Sequence, residues 1–178
     1  FDDVANSKLQ VMFGNNPIET RMSGGGHTFV TQNIKREHGV RTIIIDPRYS
    51  ETSVALGDEW VPVRPGTDAA LIAGMIYVMV EENLHDQAFL DKYCLGFDED
   101  HMPEGAPKNA SYRAYLEGKG SDGIAKTPEW AAKITGVPAE KIRQLAREIA
   151  TTKPAAITQG WGLQRAANGE NASRAVFL

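Results

Sequence analysis

A single cysteine, Cys94, stands in the whole chain. One thiol closes no internal disulfide. Nor can an iron–sulfur cluster or a cysteine-based zinc site be built from this stretch alone. A basic excess is also missing: 19 Lys and Arg face 23 Asp and Glu, for a formal net charge of -4. That argues against a general grip on nucleic acid, which needs a basic face. A nucleotide held by backbone groups needs no such face. No apolar run reaches the ~18 residues of a membrane span. The longest candidate, Ala69 to Val80, stops at Glu81-Glu82 and reads as a buried helix. No Gly-x-Gly-x-x-Gly follows the first strand candidate, and no Walker lysine is present. His27, His38, His85 and His101 show no ligand spacing, and no Ser-His-Asp arrangement is legible.

What is there is an ordinary globular composition. The 178 residues are 42% apolar and 24% charged, enough for one core-forming domain or slightly more. The chain opens on Phe1 without Met and stops inside apolar Ala175-Val176-Phe177-Leu178. Such ends read as those of an internal fragment of a longer protein. No internal repeat is visible.

Strands and helices alternate. Leu9–Phe13 is an apolar run closed by Gly14, the mark of a buried strand. Residues 23–38 put Phe29, Val30 and Ile34 on one helical face, and Gly39 supplies the stop. "VRTIII", 40–45, is β-branched and closed by Asp46-Pro47, as suits a parallel strand covered on both faces. Strand, helix, strand in about 40 residues is a βαβ unit, expected to be right-handed. Trp60–Val63 is a third strand candidate. Thr67 is placed to cap a helix over 68–82. A short helix is expected over 86–93, an exposed acidic loop over 96–110, and helices after Thr127-Pro128 and over 139–150. Pro154–Thr158 reads as a fourth strand. The expected fold is α/β, a Rossmann-like three-layer arrangement about a parallel sheet. Ligands bind such sheets at the C-terminal edge of the strands.

Four polar turns fall at that edge. Gly14-Asn15-Asn16-Pro17 offers backbone N–H groups and carboxamides to an anion, with a helix N-terminus behind them. The blander reading is a plain βα turn, where Gly and Asn are common. Gly24, Gly25 and Gly26 allow close backbone approach or simply a flexible helix entry. Asp46 accepts ribose hydroxyls in sites of this type, or bonds its own backbone before Pro47. Arg48 neutralises a phosphate or is solvated. Asp68 suits the first turn of its helix electrostatically. It also has the chemistry to accept the ring N–H and exocyclic amine of guanine, a donor pair that adenine lacks. Trp161, between Gly160 and Gly162, lies flat on a ring or belongs to the core, and Arg165 holds an anion beyond it or is exposed. Cys94, among apolar neighbours, is read as a small buried residue. The acids Asp98, Glu99 and Asp100 are read as solvated.

At these turns the sequence resembles a known family. "VMFGNNPIET", "IIIDPRYSETSVALGDEWVPVRPGTDAAL" and "GWGLQRAANGE" together resemble the molybdopterin oxidoreductases of the dimethyl sulfoxide reductase family. The combination of Gly-Asn-Asn-Pro, Asp-Pro-Arg with alternating Ser/Thr, and Arg-Pro-Gly-Thr-Asp is specific. "SDGIAKTPEWAAKITGVPAEKIRQLA" is closer to the sulfoxide and N-oxide reductase branch than to formate dehydrogenases or nitrate reductases. The resemblance covers nearly the whole chain.

The resemblance implies a molybdenum cofactor carrying two molybdopterin guanine dinucleotides. It places Gly14, Asn15, Asn16, Pro17, Glu19 and Thr20 near a pyrophosphate, and Asp46, Pro47, Arg48 and Tyr49 at the ribose or guanine. Gly66, Thr67 and Asp68 close on the same nucleotide. Trp161, Gly162 and Arg165 face the cofactor or the funnel above it. The metal ligand and any [4Fe–4S] cysteines would lie outside the chain, so no catalytic or metal-ligating residue is expected within it. Residues 1–178 would form one α/β dinucleotide-cofactor-binding domain, more helical and loop-rich over 84–153. The implied reaction is oxygen-atom transfer from a sulfoxide or N-oxide in anaerobic respiration. An iron–sulfur electron-transfer subunit and a membrane anchor would be the partners at a bacterial cell envelope, and no nucleic acid is involved. The rival readings are a stand-alone guanine nucleotide-binding α/β module without redox chemistry, and a structural or partner-binding domain.

Overall fold

The computed structural model describes residues 2–21 and 26–178. Of the glycines at 24–26, Gly24 and Gly25 lie outside the described residues, and Gly26 opens a helix. In chain order the elements are β1 (Leu9–Phe13), α1 (Pro17–Thr20), α2 (Gly26–His38), β2 (Arg41–Ile45), α3 (Glu51–Leu56), β3 (Glu59–Val61), α4 (Asp68–Glu81), α5 (Gln87–Tyr93), α6 (Tyr112–Leu116), α7 (Pro128–Thr135), α8 (Ala139–Thr151), β4 (Ala155–Gln159) and α9 (Gly169–Ala175). Short 3-10 turns cover Asp2–Asn6 and Glu99–His101.

The chain divides into two compact units. The first comprises Phe1–Ala69, Thr135–Val137 and Thr152–Leu178. It holds one sheet of four parallel strands in the order β3-β2-β1-β4. The α/β class with a parallel sheet is therefore present as expected. β1 is buried along its whole length and β2 from Thr42 onward, because both are apolar on two faces. β4 is an edge strand and stays partly exposed. Met12 and Ile44 pack on Leu56 of α3, with Ile18 and Trp60 at the margin. Val4, Ile34 and Val40 form a second cluster.

Strand order reverses between β1 and β4: β2 and β3 lie on one side of β1, β4 on the other. In open parallel sheets, ligands bind outside the C-terminal strand ends at such a switch point.

The second unit comprises Ala70–Ile134 and Pro138–Thr151. Ala73, Val80, Phe97 and Leu116 form its core, lined by Tyr77, Tyr112 and Trp130. Gly74 is required for packing, since a Cβ there would stand 2.7 Å from that of Ala131. Lys126 is buried among aromatic rings: its ammonium lies 4.1 Å from the Tyr115 ring centre and 2.7 Å from Asp122 Oδ2.

The expected acidic loop is more ordered than its composition suggests. Asp98 accepts the His101 backbone N–H at 3.1 Å and pairs with its ring at 2.7 Å. Glu99 accepts N–H groups of Asn109 and Ser111. These carboxylates close the loop rather than being merely solvated. Cys94 is also corrected. It ends α5 and is half-exposed, because α5 buries none of its residues. Among the described residues, no helix is long and apolar enough to cross a membrane.

Candidate functional site

All four turns singled out in the sequence belong to the sheet unit and leave the C-terminal ends of its strands. The ladder continues one residue past three of the strands. Gly14 N–H donates to Ile45 O at 3.0 Å, Asp46 N–H to Val61 O at 3.2 Å, and Gly160 N–H to Phe13 O at 2.9 Å. Each turn therefore starts from a fixed point.

The turn after β1 is stiffer than an anion-gripping loop need be. Gly14 has φ +48°, which favours glycine. Pro17 opens α1, as proline does at a first helical position. α1 has only four residues, so the helix behind the turn supplies little of the dipole expected of it. The Asn16 carboxamide is engaged within the protein. Its oxygen accepts from the Thr52 hydroxyl, and its Nδ2 donates to Glu19 Oε2 at 2.7 Å. Thr20 Oγ1 donates back to Asn16 O at 2.8 Å. Glu19 in turn pairs with Arg48. Arg48 is thus neither a lone solvated cation nor an unengaged phosphate ligand.

In the turn after β2, Asp46 Oδ1 accepts the Arg48 N–H at 2.9 Å, the local bond that a turn aspartate makes before Pro47. This leaves Asp46 Oδ2 for other contacts. The Trp60 indole N–H donates to Asp46 O at 2.9 Å, and the exposed Tyr49 ring meets Trp60 edge-on at 5.1 Å. After β3, Arg64-Pro65-Gly66-Thr67 closes a turn with proline second and a positive-φ glycine third. Thr67 donates to Arg64 O through both its N–H (3.2 Å) and its hydroxyl (2.6 Å).

Asp68, the next residue, is 5% exposed. Among the described residues no cation is paired with it. Burial is the main cause that raises its carboxyl above the ordinary value, and the charge of Asp46 adds to the rise against its own backbone hydrogen bond. A buried carboxyl without a cation suits a ligand that brings N–H donors.

The turn after β4 touches the turn after β1 through main chain. A Cβ on Gly160 would stand 2.3 Å from Gly14 O, and one on Gly162 3.0 Å from the same atom. Trp161 is 58% exposed, which removes the core reading, and the Arg165 guanidinium covers its ring at 5.0 Å. Thr158 Oγ1 and Gln159 Oε1 are buried and lack a hydrogen-bond partner. They stand at the β4 end of the switch point and were not singled out in the sequence. Thr52 was not singled out by itself either, although it belongs to the alternating Ser/Thr run after Asp-Pro-Arg.

The sequence matches the molybdopterin oxidoreductase family over residues 1–177. It is 63% identical over 176 residues to the dimethyl sulfoxide reductase DmsA of Escherichia coli (strain K12), covering 99% of this chain and 22% of that protein. It is 37% identical over 173 residues to the dimethyl sulfoxide/trimethylamine N-oxide reductase of Cereibacter sphaeroides, covering 95% of this chain and 19% of that one. Among solved structures, the acetylene hydratase from Pelobacter acetylenicus superposes with a TM-score of 0.70 at 28% identity, over 95% of this chain and 20% of that chain. The chain thus spans about a fifth of the length of these relatives. A stand-alone guanine nucleotide module finds no support in a match of this extent. The chain belongs to the molybdopterin oxidoreductase family.

Proposed function

We propose that this chain supplies part of the cradle for a molybdopterin guanine dinucleotide in a molybdenum-dependent sulfoxide or N-oxide reductase. The chain is read as one cofactor-binding domain of that catalytic subunit. The observation that carries the guanine assignment is Asp68: a buried carboxyl with no cation paired to it among the described residues, at the C-terminal edge of a parallel sheet. Ionised, it accepts the ring N–H and amine of guanine together, and adenine offers no such pair. The Gly14 and Gly160 N–H groups are given to Ile45 O and Phe13 O, so the Asn15 and Asn16 N–H groups would be the ones to meet a pyrophosphate. Asp46 Oδ2, not used in the turn, would accept a ribose hydroxyl, and the exposed Trp161 ring would lie beside the cofactor with Arg165 over one face.

When bound, the molybdenum cofactor supplies the two-electron oxygen-atom transfer that reduces dimethyl sulfoxide or a similar acceptor. The residues of this chain bind and orient the dinucleotide. The whole protein would take its electrons from an iron–sulfur subunit through a [4Fe–4S] centre, in a complex held at the cell envelope by a membrane anchor. The similarity to reductases along 99% of the chain supports this reading.

The test is made on the whole protein. Molybdenum content and GMP released by acid hydrolysis are measured for wild type and Asp68→Ala. The expected result is about two GMP per metal in wild type, with both depleted in the variant. Metal and GMP unchanged by Asp68→Ala would reduce the aspartate to a helix-start acid. Wild-type protein without molybdenum would overturn the cofactor reading.

A further inference from the structure

We propose that Thr52 is a positioning residue for the dinucleotide cradle, acting through Asn16. This rests on the cofactor reading above. Thr52 sits in the first turn of α3 and is fully buried. It is not needed to start that helix. Ser50 does so, its hydroxyl accepting the Ser53 N–H. The Thr52 hydroxyl turns instead to the neighbouring strand-end turn. It accepts the Ile18 N–H at 3.1 Å and donates to Asn16 Oδ1. A hydroxyl has one proton to give, and here that proton is committed to the carboxamide oxygen.

The consequence is geometric. With Oδ1 held by Thr52, Asn16 Nδ2 faces Glu19 at 2.7 Å, and Glu19 faces Arg48. Arg48 and Thr52 flank the Ser50 cap on one segment, and together they grip Asn16 and Glu19 on the other. The turns after β1 and β2 are thereby tied at two points, 36 residues apart in sequence at the Thr52–Asn16 bond. One end of this relay, Arg48–Glu19, is exposed and worth little by itself. The other end is buried at Thr52, and there a lost partner leaves Ile18 N–H and Asn16 Oδ1 unsatisfied. Thr52 is thus the member on which the shape of the Gly14–Thr20 turn depends, although it need not touch the cofactor.

The test uses the whole protein with its cofactor, in wild type, Thr52→Val and Thr52→Ser. GMP and molybdenum per protein are measured beside the melting temperature. Thr52→Val keeps the branched shape and removes the hydroxyl. Thr52→Ser keeps the hydroxyl and removes a methyl. The expected result is a folded Thr52→Val protein retaining about fivefold less GMP and metal, with Thr52→Ser restored to the wild-type level. Full cofactor in Thr52→Val overturns the proposal. Depletion in Thr52→Ser as deep as in Thr52→Val also overturns it, since packing of the methyl would then be the cause. Should Thr52→Val fail to fold, Thr52→Cys replaces it: depletion with a normal melt supports the role, and full cofactor overturns it. A wild-type protein without GMP overturns the cofactor reading itself, a result distinct from each of these.

Discussion

The charge on Asp46 reaches Asp68 at the C-terminal edge of the sheet and raises the proton affinity of that buried carboxyl. Burial contributes more to that rise than the charge does. The protein therefore holds, at one place, an acid that is reluctant to ionise without a ligand.

A stability dependence on pH follows. The folded state binds the Asp68 proton more tightly than the unfolded chain, so this group lowers stability as pH rises. The penalty is absent below the ordinary carboxyl value of 3.8 and complete above the raised folded value. Cofactor-free whole protein carrying Asp68→Asn is expected to melt higher than wild type near neutral pH. The two melting temperatures should converge as pH falls below 3.8. Parallel melting curves across that range would show that the carboxyl ionises freely.

Gly160 and Gly66 are expected to differ sharply when changed to alanine. At Gly160 a Cβ would meet Gly14 O at 2.3 Å and Asn15 Cα at 2.7 Å, so main chain must move. A loss of about 3 kcal/mol, with depletion of bound GMP, is the expected outcome. At Gly66 the space is open and only the positive φ, +75°, resists a side chain. The cost there should be about 1–2 kcal/mol. Denaturant unfolding of the two variants, with GMP released from each, checks the contrast. Equal losses would refute it.

Lys126 offers a stability test away from the cradle. Its ammonium is desolvated against Tyr115, with Trp130 5.3 Å away and Asp122 as its carboxylate partner. A desolvated cation over a ring is worth about 2 kcal/mol. Lys126→Ala also empties the space taken by the side chain and should cost about 3 kcal/mol. Lys126→Met, which fills that space without the charge, should cost about half as much. GMP content should stay at the wild-type level in whatever protein remains folded. Equal destabilisation by Ala and Met would assign the whole effect to the charge.

β1, β2 and β4 were legible because their apolar or β-branched runs end at Gly or Asp-Pro. β3 was expected over Trp60–Val63 and lies at Glu59–Val61, since Pro62 has no N–H for the ladder. Burial on two faces leaves a run without alternation, and Val40–Ile45 has that form. The longer helices were legible from capping and spacing, to within a few residues. The extent of α1 and the presence of α3, α6 and α9 were not foreseen: these helices have four to seven residues, and a helical period hardly emerges over so short a run. The positions of the candidate turns were legible, but their internal bonds were not. Asn16 reads as a ligand-facing amide until Thr52 is seen to hold it, and nothing in sequence joins residues so far apart. The exposure of Trp161 was equally hidden, since Gly-Trp-Gly suits a buried ring as well as an open one.

Main chain meets main chain where Gly160 and Gly162 lie against Gly14. The spacing of these two turns is therefore set by peptide contact, with the buried Leu163 side chain packed against Gly14 beside it. Replacements at the exposed Trp161 can change the chemistry of this edge while the contact of Gly160 and Gly162 with Gly14 stays as it is. The architecture separates a ruler from a reading head, and chemistry can diversify on the second without recalibrating the first.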